Sequence, residues 1–225
     1  MPSAFEEVMA VRGKGMPTKD QIKIVGSDPV FSTKFKIGET CAAVIAGIGT
    51  AVSDIWELKT SRPQSAAIDV RHAAAALRST GYMQQPGADG IFSDIRLDDH
   101  NDMRRITQPW PTKDGRWCLP HFGLPNLRAR VLGVLGCEPT PDSVAKAVSQ
   151  WDAMDLEAAI DEARGCGGMV RTNEEWMAHP HGQALAAKPI VEIIKIAESD
   201  PEPMPAGDRP LSGIKALDLT RILAG

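Results

Sequence analysis

An α/β fold with a mixed α+β body is what this sequence predicts, and three observations carry the prediction. Apolar residues recur at helical spacing in several Ala-rich segments, and short β-prone runs stand between them. The third observation is the end of the chain. Ile214, Ala216, Leu217 and Leu219 form an apolar run behind Pro210 and Gly213, as in a strand buried in a parallel sheet. Thr220 and Arg221 follow where such a strand would leave the sheet, and Ala224 and Gly225 are small enough for a ligand or helix to approach. One strand cannot satisfy its ladder or bury its faces alone. Residues 211–225 are therefore expected to open a second, truncated domain.

The elements before it follow in order. Residues 1–35, with Gly13, Gly15, Pro17, Gly26 and Pro29, are expected to be a weakly ordered lead-in with at most one short helix. From Gly38, the residues Cys41, Val44, Ile45, Ile48, Val52, Ile55, Trp56 and Leu58 recur at three and four, which defines a helix with a broad apolar face. Ala42, Ala43, Ala46, Gly47, Gly49 and Ala51 prepare it for close packing on another backbone. Lys59 and Arg62 suit its negative end, and Pro63 forbids continuation. Ala66 to Val70 then reads as a strand and Arg71 to Tyr82 as an Ala-rich helix.

Residues 84–102 are polar, and Asp114-Gly115 supplies the positive-φ turn of a hairpin between flanking runs. Leu124 to Leu135 is a helix closed by Gly136. Thr140 caps another, with Pro141 in its first position, running to about Gln150. Met154 to Arg164 is amphipathic and ends at Gly165. Thr172 and Glu175 have capping-box spacing and start a helix carrying Trp176 and His179. Ile190 to Ile196 is β-rich. Residues 198–210, with Pro201, Pro203, Pro205 and Pro210, form a stiff linker, so 36–197 is expected to be one lobe.

Composition bounds the function. The chain has 225 residues, 43% hydrophobic and 24% charged, which is ordinary globular usage. A net charge of −4 argues against nucleic acid or an anionic membrane as partner. Cys41, Cys118, Cys137 and Cys166 form no C-x-x-C pair and do not cluster with histidine, so no metal site is expected. The N-terminus lacks a basic start with an apolar core, and the most apolar stretch, Cys41 to Val52, is too short and Gly-broken to span a bilayer. A cytoplasmic protein with reduced thiols is the expectation. P-loop, G-x-G-x-x-G and nucleophile-elbow patterns do not occur. His72, His121, His179 and His181 read as ordinary loop or surface residues, and the five tryptophans as core or interface anchors.

Leu211-Ser-Gly-Ile-Lys-Ala-Leu-Asp-Leu-Thr-Arg-Ile-Leu-Ala-Gly225 resembles the start of the family III CoA-transferases, the CaiB/BaiF group that includes formyl-CoA transferase and the acyl-CoA racemases. There the segment begins a Rossmann-like half. The body resembles a later part of the same family. Thr60-Ser-Arg-Pro-Gln64 stands where the family has T-G-[KR]-G-Q, its two glycines replaced by Ser61 and Pro63, and Ala67-Ile-Asp-Val70 follows as the family's strand. Asp114-Gly-Arg-Trp117 is similar to its D-G-x-[WF] hairpin and Thr172-Asn-Glu-Glu-Trp176 to its helix start, in the family's order. The resemblance implies a divergent first lobe joined to the beginning of a second unit.

It also implies chemistry. The family moves CoA between an acyl-CoA and a carboxylic acid, with the CoA thioester as substrate and no tightly bound cofactor. A carboxylate attacks the thioester carbonyl, giving a mixed anhydride and then an enzyme–CoA thioester. Backbone glycine donors would stabilise the oxyanions. Counting back about twenty residues from Thr60, as the family's spacing directs, reaches Glu39 as candidate nucleophile; Asp28 and Asp69 fit less well. Arg221, Ile222, Leu223 and Ala224 match positions that lie against CoA. The resemblance leaves open a non-catalytic scaffold or dimerisation lobe and an acyl-CoA racemase or isomerase exchanging an α-proton. A homodimer or a complementary C-terminal transferase segment is the implied partner.

Overall fold

In a computed structural model of the chain, residues 3–94 and 103–220 are described. They form two compact units, one from 1–83 with 188–225 and the other from 84–187. The boundaries drawn from composition at 35/36 and 197/198 do not coincide with this division.

The first unit is a βαβ arrangement with a helix in front. Helix α1, Ala4–Met9, is closed by a capping box in which Ser3 Oγ accepts from the Glu6 amide and the Glu6 carboxylate accepts from the Ser3 amide. Strand β1, Ile22–Val25, pairs in parallel with β2, Ala66–Asp69, in a register running from Ile22 opposite Ala66 to Val25 opposite Asp69. Between them runs α2, Ile37–Thr60, the crossover that parallel strands require. Asp69 ends β2 and caps α3, Val70–Leu77, its Oδ1 accepting from the amides of Arg71 and His72 at 2.8 and 3.2 Å. A short 3₁₀ turn, Ser79–Tyr82, completes the second expected helix.

The core of this unit is built from small residues on α2. Ala42 and Ala46 are fully buried and pack with Ile22, Cys41, Ile68, Val70 and Ala73. Gly47 lets α1 approach closely: a Cβ there would lie 2.5 Å from Val8 Cγ1. Arg12 then ties the lead-in to the middle of α2, its Nε and Nη2 each donating to the Asp54 carboxylate at 2.8 Å. The lead-in is thus an ordered part of the unit, contrary to the expectation for 1–35. Strand β1 escapes the sequence reading because its apolar positions are interrupted by Lys23 and only Ile22 is buried.

α2 ends as predicted. Ser61 takes the left-handed conformation at φ 56°, and Pro63 follows. Its 24 residues are long and apolar enough to cross a membrane by length and composition, which corrects the expectation that the apolar stretch stops at Val52. Its buried face packs on α1, α3 and the strands, as a core helix does. Lys59 Nζ donates to the carbonyls of Arg209 and Ser212 at 3.2 and 3.0 Å, pinning the end of the Pro-rich segment to α2. The strand expected at Ile214 to Leu219 and the β-rich run Ile190 to Ile196 are not strands here; both segments are irregular and largely exposed. Among the described residues, neither has a neighbouring strand to complete its ladder.

The second unit is centred on an antiparallel sheet in the order β5-β6-β7, comprising β5 (Trp110–Pro111), β6 (Trp117–Pro120) and β7 (Gly167–Met169). Gly115 at φ 74° makes the expected hairpin turn. β7 carries no β-propensity signal, because two of its three residues are glycine; at Gly167 a Cβ would come within 3.1 Å of the Leu119 carbonyl. A further hairpin, β3 (Gln84–Pro86) with β4 (Phe92–Asp94), lies inside the stretch read as polar loop.

Helices α4 (Pro125–Leu135), α5 (Pro141–Val148) and α6 (Ala153–Glu162) follow the predicted order, α4 ending at Gly136 with φ 61°. Thr172 and Glu175 form the expected capping box of α7, Asn173–Ala178, and α8 spans Pro180–Ala186. Phe122, Ile106, Val131, Val144, Val148, Leu156 and Ile160 form the core of this unit. Arg171 closes a bidentate ion pair on Glu157, whose Oε2 also accepts from the Met169 amide at 2.7 Å.

Candidate functional site

The first turn of α2 carries the candidate nucleophile, and a loop carboxylate holds it. Asp28 acts as a cap from outside the helix, its Oδ1 accepting from the Gly38 amide at 3.2 Å and its Oδ2 from the Glu39 amide at 2.8 Å. Glu39 returns the contact: its Oε1 accepts from the Asp28 amide at 3.1 Å, and its Oε2 takes a hydrogen bond from Lys36 Nζ at 3.0 Å. The result is a capping box closed between two segments rather than within one. Close packing makes it possible, since a Cβ on Gly38 would lie 2.8 Å from Val70 Cγ1 and 2.9 Å from Asp28 Oδ1.

The electrostatics follow from these bonds. The Lys36 ammonium, then the Asp28 amide, hold the Glu39 carboxyl below its ordinary range. Asp28 is lowered chiefly by the Glu39 amide, with Val30 and Gly38 adding to it. Glu39 is therefore an ionised, one-third exposed carboxylate with both oxygens engaged. The Gly38 amide, the nearest glycine donor in the sequence, is committed to Asp28.

An apolar cleft of about 420 Å³ opens beside this turn, lined by Phe35, Ile37, Cys41, Val44 and Leu77 with Lys36 at its polar side. Phe35 and Leu77 are far apart in sequence, so only the packing of α3 on α2 reveals the cleft. Cys41 contributes an inert wall: its thiol donates to the Ala73 carbonyl at 3.2 Å, and burial pushes its pKa up.

The remaining sequence candidates are scattered. Arg221, Ile222, Leu223 and Ala224 lie outside the described residues. Asp69 is the α3 cap, its carboxyl lowered by the amides of His72 and Arg71. His121 Nδ1 accepts from the Gly123 amide at 3.1 Å, and His179 Nδ1 accepts from the His181 amide at 3.1 Å, so both close local turns. Trp176 stacks on His179 with ring centroids 5.8 Å apart. Among the described residues, no group of three or more His, Cys, Asp or Glu side chains gathers as metal ligands would.

By backbone, the chain is similar to two crystal structures of Rv3272 from Mycobacterium tuberculosis, the first of a single-residue mutant and the second of the hypothetical protein Rv3272. The TM-score is 0.52 at 11% identity for each, over 89% and 82% of this chain and 56% and 52% of those. No family model matches the sequence. Two curated relatives are an acetyl-coenzyme A transferase, nodX, from Hypoxylon pulicicidum and an acyl-CoA transferase from Gibberella moniliformis. The first is 28% identical over 88% of this chain and 39% of the relative, the second 24% identical over 100% and 46%. The chain is thus similar in sequence to curated acyl-CoA and acetyl-CoA transferases, and it spans less than half the length of these relatives.

Proposed function

We propose that this chain is the first lobe of an acyl-CoA:carboxylate CoA-transferase, that residues 211–225 begin its second unit, and that a carboxylate carries the acyl group and then CoA. The observation that carries the reading is the sequence similarity to a curated acetyl-coenzyme A transferase and a curated acyl-CoA transferase across 88% or more of the chain. Coenzyme A thioesters and carboxylic acids are then the substrates, and Arg221, Ile222, Leu223 and Ala224 would lie against CoA.

Within this reading Glu39 supplies the carboxylate. Its oxygen attacks the thioester carbonyl and expels CoA thiolate, leaving an acyl–glutamyl anhydride. The thiolate then attacks the glutamyl carbonyl, releasing the original acid and forming glutamyl–CoA thioester. An incoming carboxylate reverses both steps. The ionised state of Glu39 supports this role, as does an apolar cleft large enough for an acyl chain that is lined by its helix neighbours Ile37, Thr40 and Cys41.

A second reading has its own observation. Both Glu39 oxygens are engaged, one by the Asp28 amide and the other by Lys36 Nζ, and Val44, Ile48 and Leu58 are 45%, 60% and 73% exposed on α2, as in a scaffold lobe awaiting a homodimer partner or a complementary transferase segment. One experiment separates the two. The purified chain is given acetyl-CoA and isotopically labelled acetate, exchange of label into acetyl-CoA is followed, and hydroxylamine traps any acyl-enzyme. Catalysis through Glu39 predicts a trappable species that disappears in Glu39→Gln with the far-UV spectrum unchanged. A folded chain giving no trapped species and no exchange supports the scaffold. Incorporation of solvent deuterium α to the carbonyl without label exchange would mark a racemase.

A further inference from the structure

A second cleft in the same unit matches a ligand of different chemistry. It measures about 490 Å³ and is lined by Phe31 from the loop before α2, by Asp69, Arg71, His72 and Ala75 at the start of α3, and by Tyr82 of the 3₁₀ turn. Two basic side chains and two aromatic rings meet one carboxylate there. Asp69 Oδ1 accepts from the amides of Arg71 and His72, which fixes this carboxylate as the α3 cap. Among the described residues the Arg71 guanidinium, the His72 imidazole and the Tyr82 hydroxyl make no hydrogen bond or ion pair with the protein.

A guanidinium presents a planar fork of donors that fits an oxyanion, and flanking aromatic faces fit a flat or apolar body attached to it. Phe31 and Tyr82 are about fifty residues apart in sequence and reach one cleft only because β2 delivers α3 beside the loop that follows β1. We propose that this cleft binds the oxyanion of a small organic ligand, a phosphate or a carboxylate borne on a planar or apolar group, with Arg71 as its principal contact and Tyr82 and His72 as further donors. The choice of ligand class rests on the transferase reading, in which both kinds of anion occur among the substrates.

Binding, read without turnover, tests the cleft independently of that reading. Isothermal titration of the full chain with adenosine 3′,5′-bisphosphate and, separately, with benzoate distinguishes a nucleotide phosphate from an acid carboxylate. Arg71→Gln should weaken the bound probe about tenfold or more, the loss of a charge-assisted contact. Arg78→Gln, one α3-flanking arginine outside the cleft lining, should leave it unchanged. Tyr82→Phe should weaken it less than Arg71→Gln while retaining the ring. Failure of both probes to bind at millimolar concentration, or equal binding by Arg71→Gln and the wild-type chain, overturns the proposal. Either result leaves acetyl-CoA exchange and acyl-enzyme trapping as the separate test of the transferase reading.

Discussion

Gly47 and Val8 make a prediction that turns on its sign. Alanine is favoured over glycine inside a helix by about 1 kcal/mol, so Gly47→Ala in an open stretch of α2 would stabilise the protein. Here the new Cβ would lie 2.5 Å from Val8 Cγ1 and 3.9 Å from Met9 Cε. Overpacking of that kind costs roughly 1–3 kcal/mol, so in the wild-type background the substitution should be neutral to destabilising by about 2 kcal/mol. With Val8→Ala in place the clash is gone, and the same change should stabilise by up to about 1 kcal/mol. The expected coupling is therefore about 1–3 kcal/mol across a pair in direct contact. Hydrogen exchange of the α2 amides across a urea series reads this unit without interference from the other. Stabilisation by Gly47→Ala in both backgrounds, with coupling below about 0.5 kcal/mol, would refute the close α1–α2 packing and return the lead-in to a loosely attached segment.

Thiol chemistry should rank the cysteines: Cys166, exposed, modified first by a disulfide reagent, then Cys137, with Cys118 protected until unfolding, since burial and then Glu157 push its pKa to about 11. Mass-mapped labelling over time checks the order, and early labelling of Cys118 would contradict its place in the core. The Glu157 carboxyl is held low, first by Arg171 and then by the Met169 amide, so the stability it contributes is present above the ordinary glutamate range and lost as pH falls through the folded-state pKa. Glu157→Gln should flatten the acid side of the stability–pH curve for the 84–187 unit, and a curve of unchanged slope would count against the Arg171 pairing. The Glu39→Gln and Arg71→Gln outcomes stated above complete the set.

Much of the helical framework was legible because its signals are local. Gly136, Pro141, Thr172 with Glu175, and Asp114-Gly115 each act on backbone within four residues, and each behaves as read. Strands β1, β3, β4 and β7 were not legible. β1 and β7 form ladders with partners elsewhere in the chain, β3 and β4 are three exposed residues each and carry no alternating apolar pattern, and Gly167 and Gly168 in β7 have no side chain to advertise a strand. The opposite error, the run Ile190 to Ile196, has strong propensity but no adjacent strand among the described residues. The candidate site divides in the same way. Glu39 entered as a candidate only through the family resemblance, and its contacts with Asp28 and Lys36 and both clefts depend on loops and α3 folding back against α2.

By itself the sequence determined the α/β class, the order and ends of the principal helices, and the relationship to acyl-CoA transferases, because periodicity, caps and motif order are properties of neighbouring residues. Tertiary structure alone decided that the lead-in belongs to the first unit and that Asp28 and Glu39 close each other's hydrogen bonds. It also decided that Arg71, His72, Phe31 and Tyr82 share a cleft. Those relations hold through the parallel pairing of β1 with β2 and the close approach that Gly38 and Gly47 permit, and such contacts have no signature in any short window of the chain.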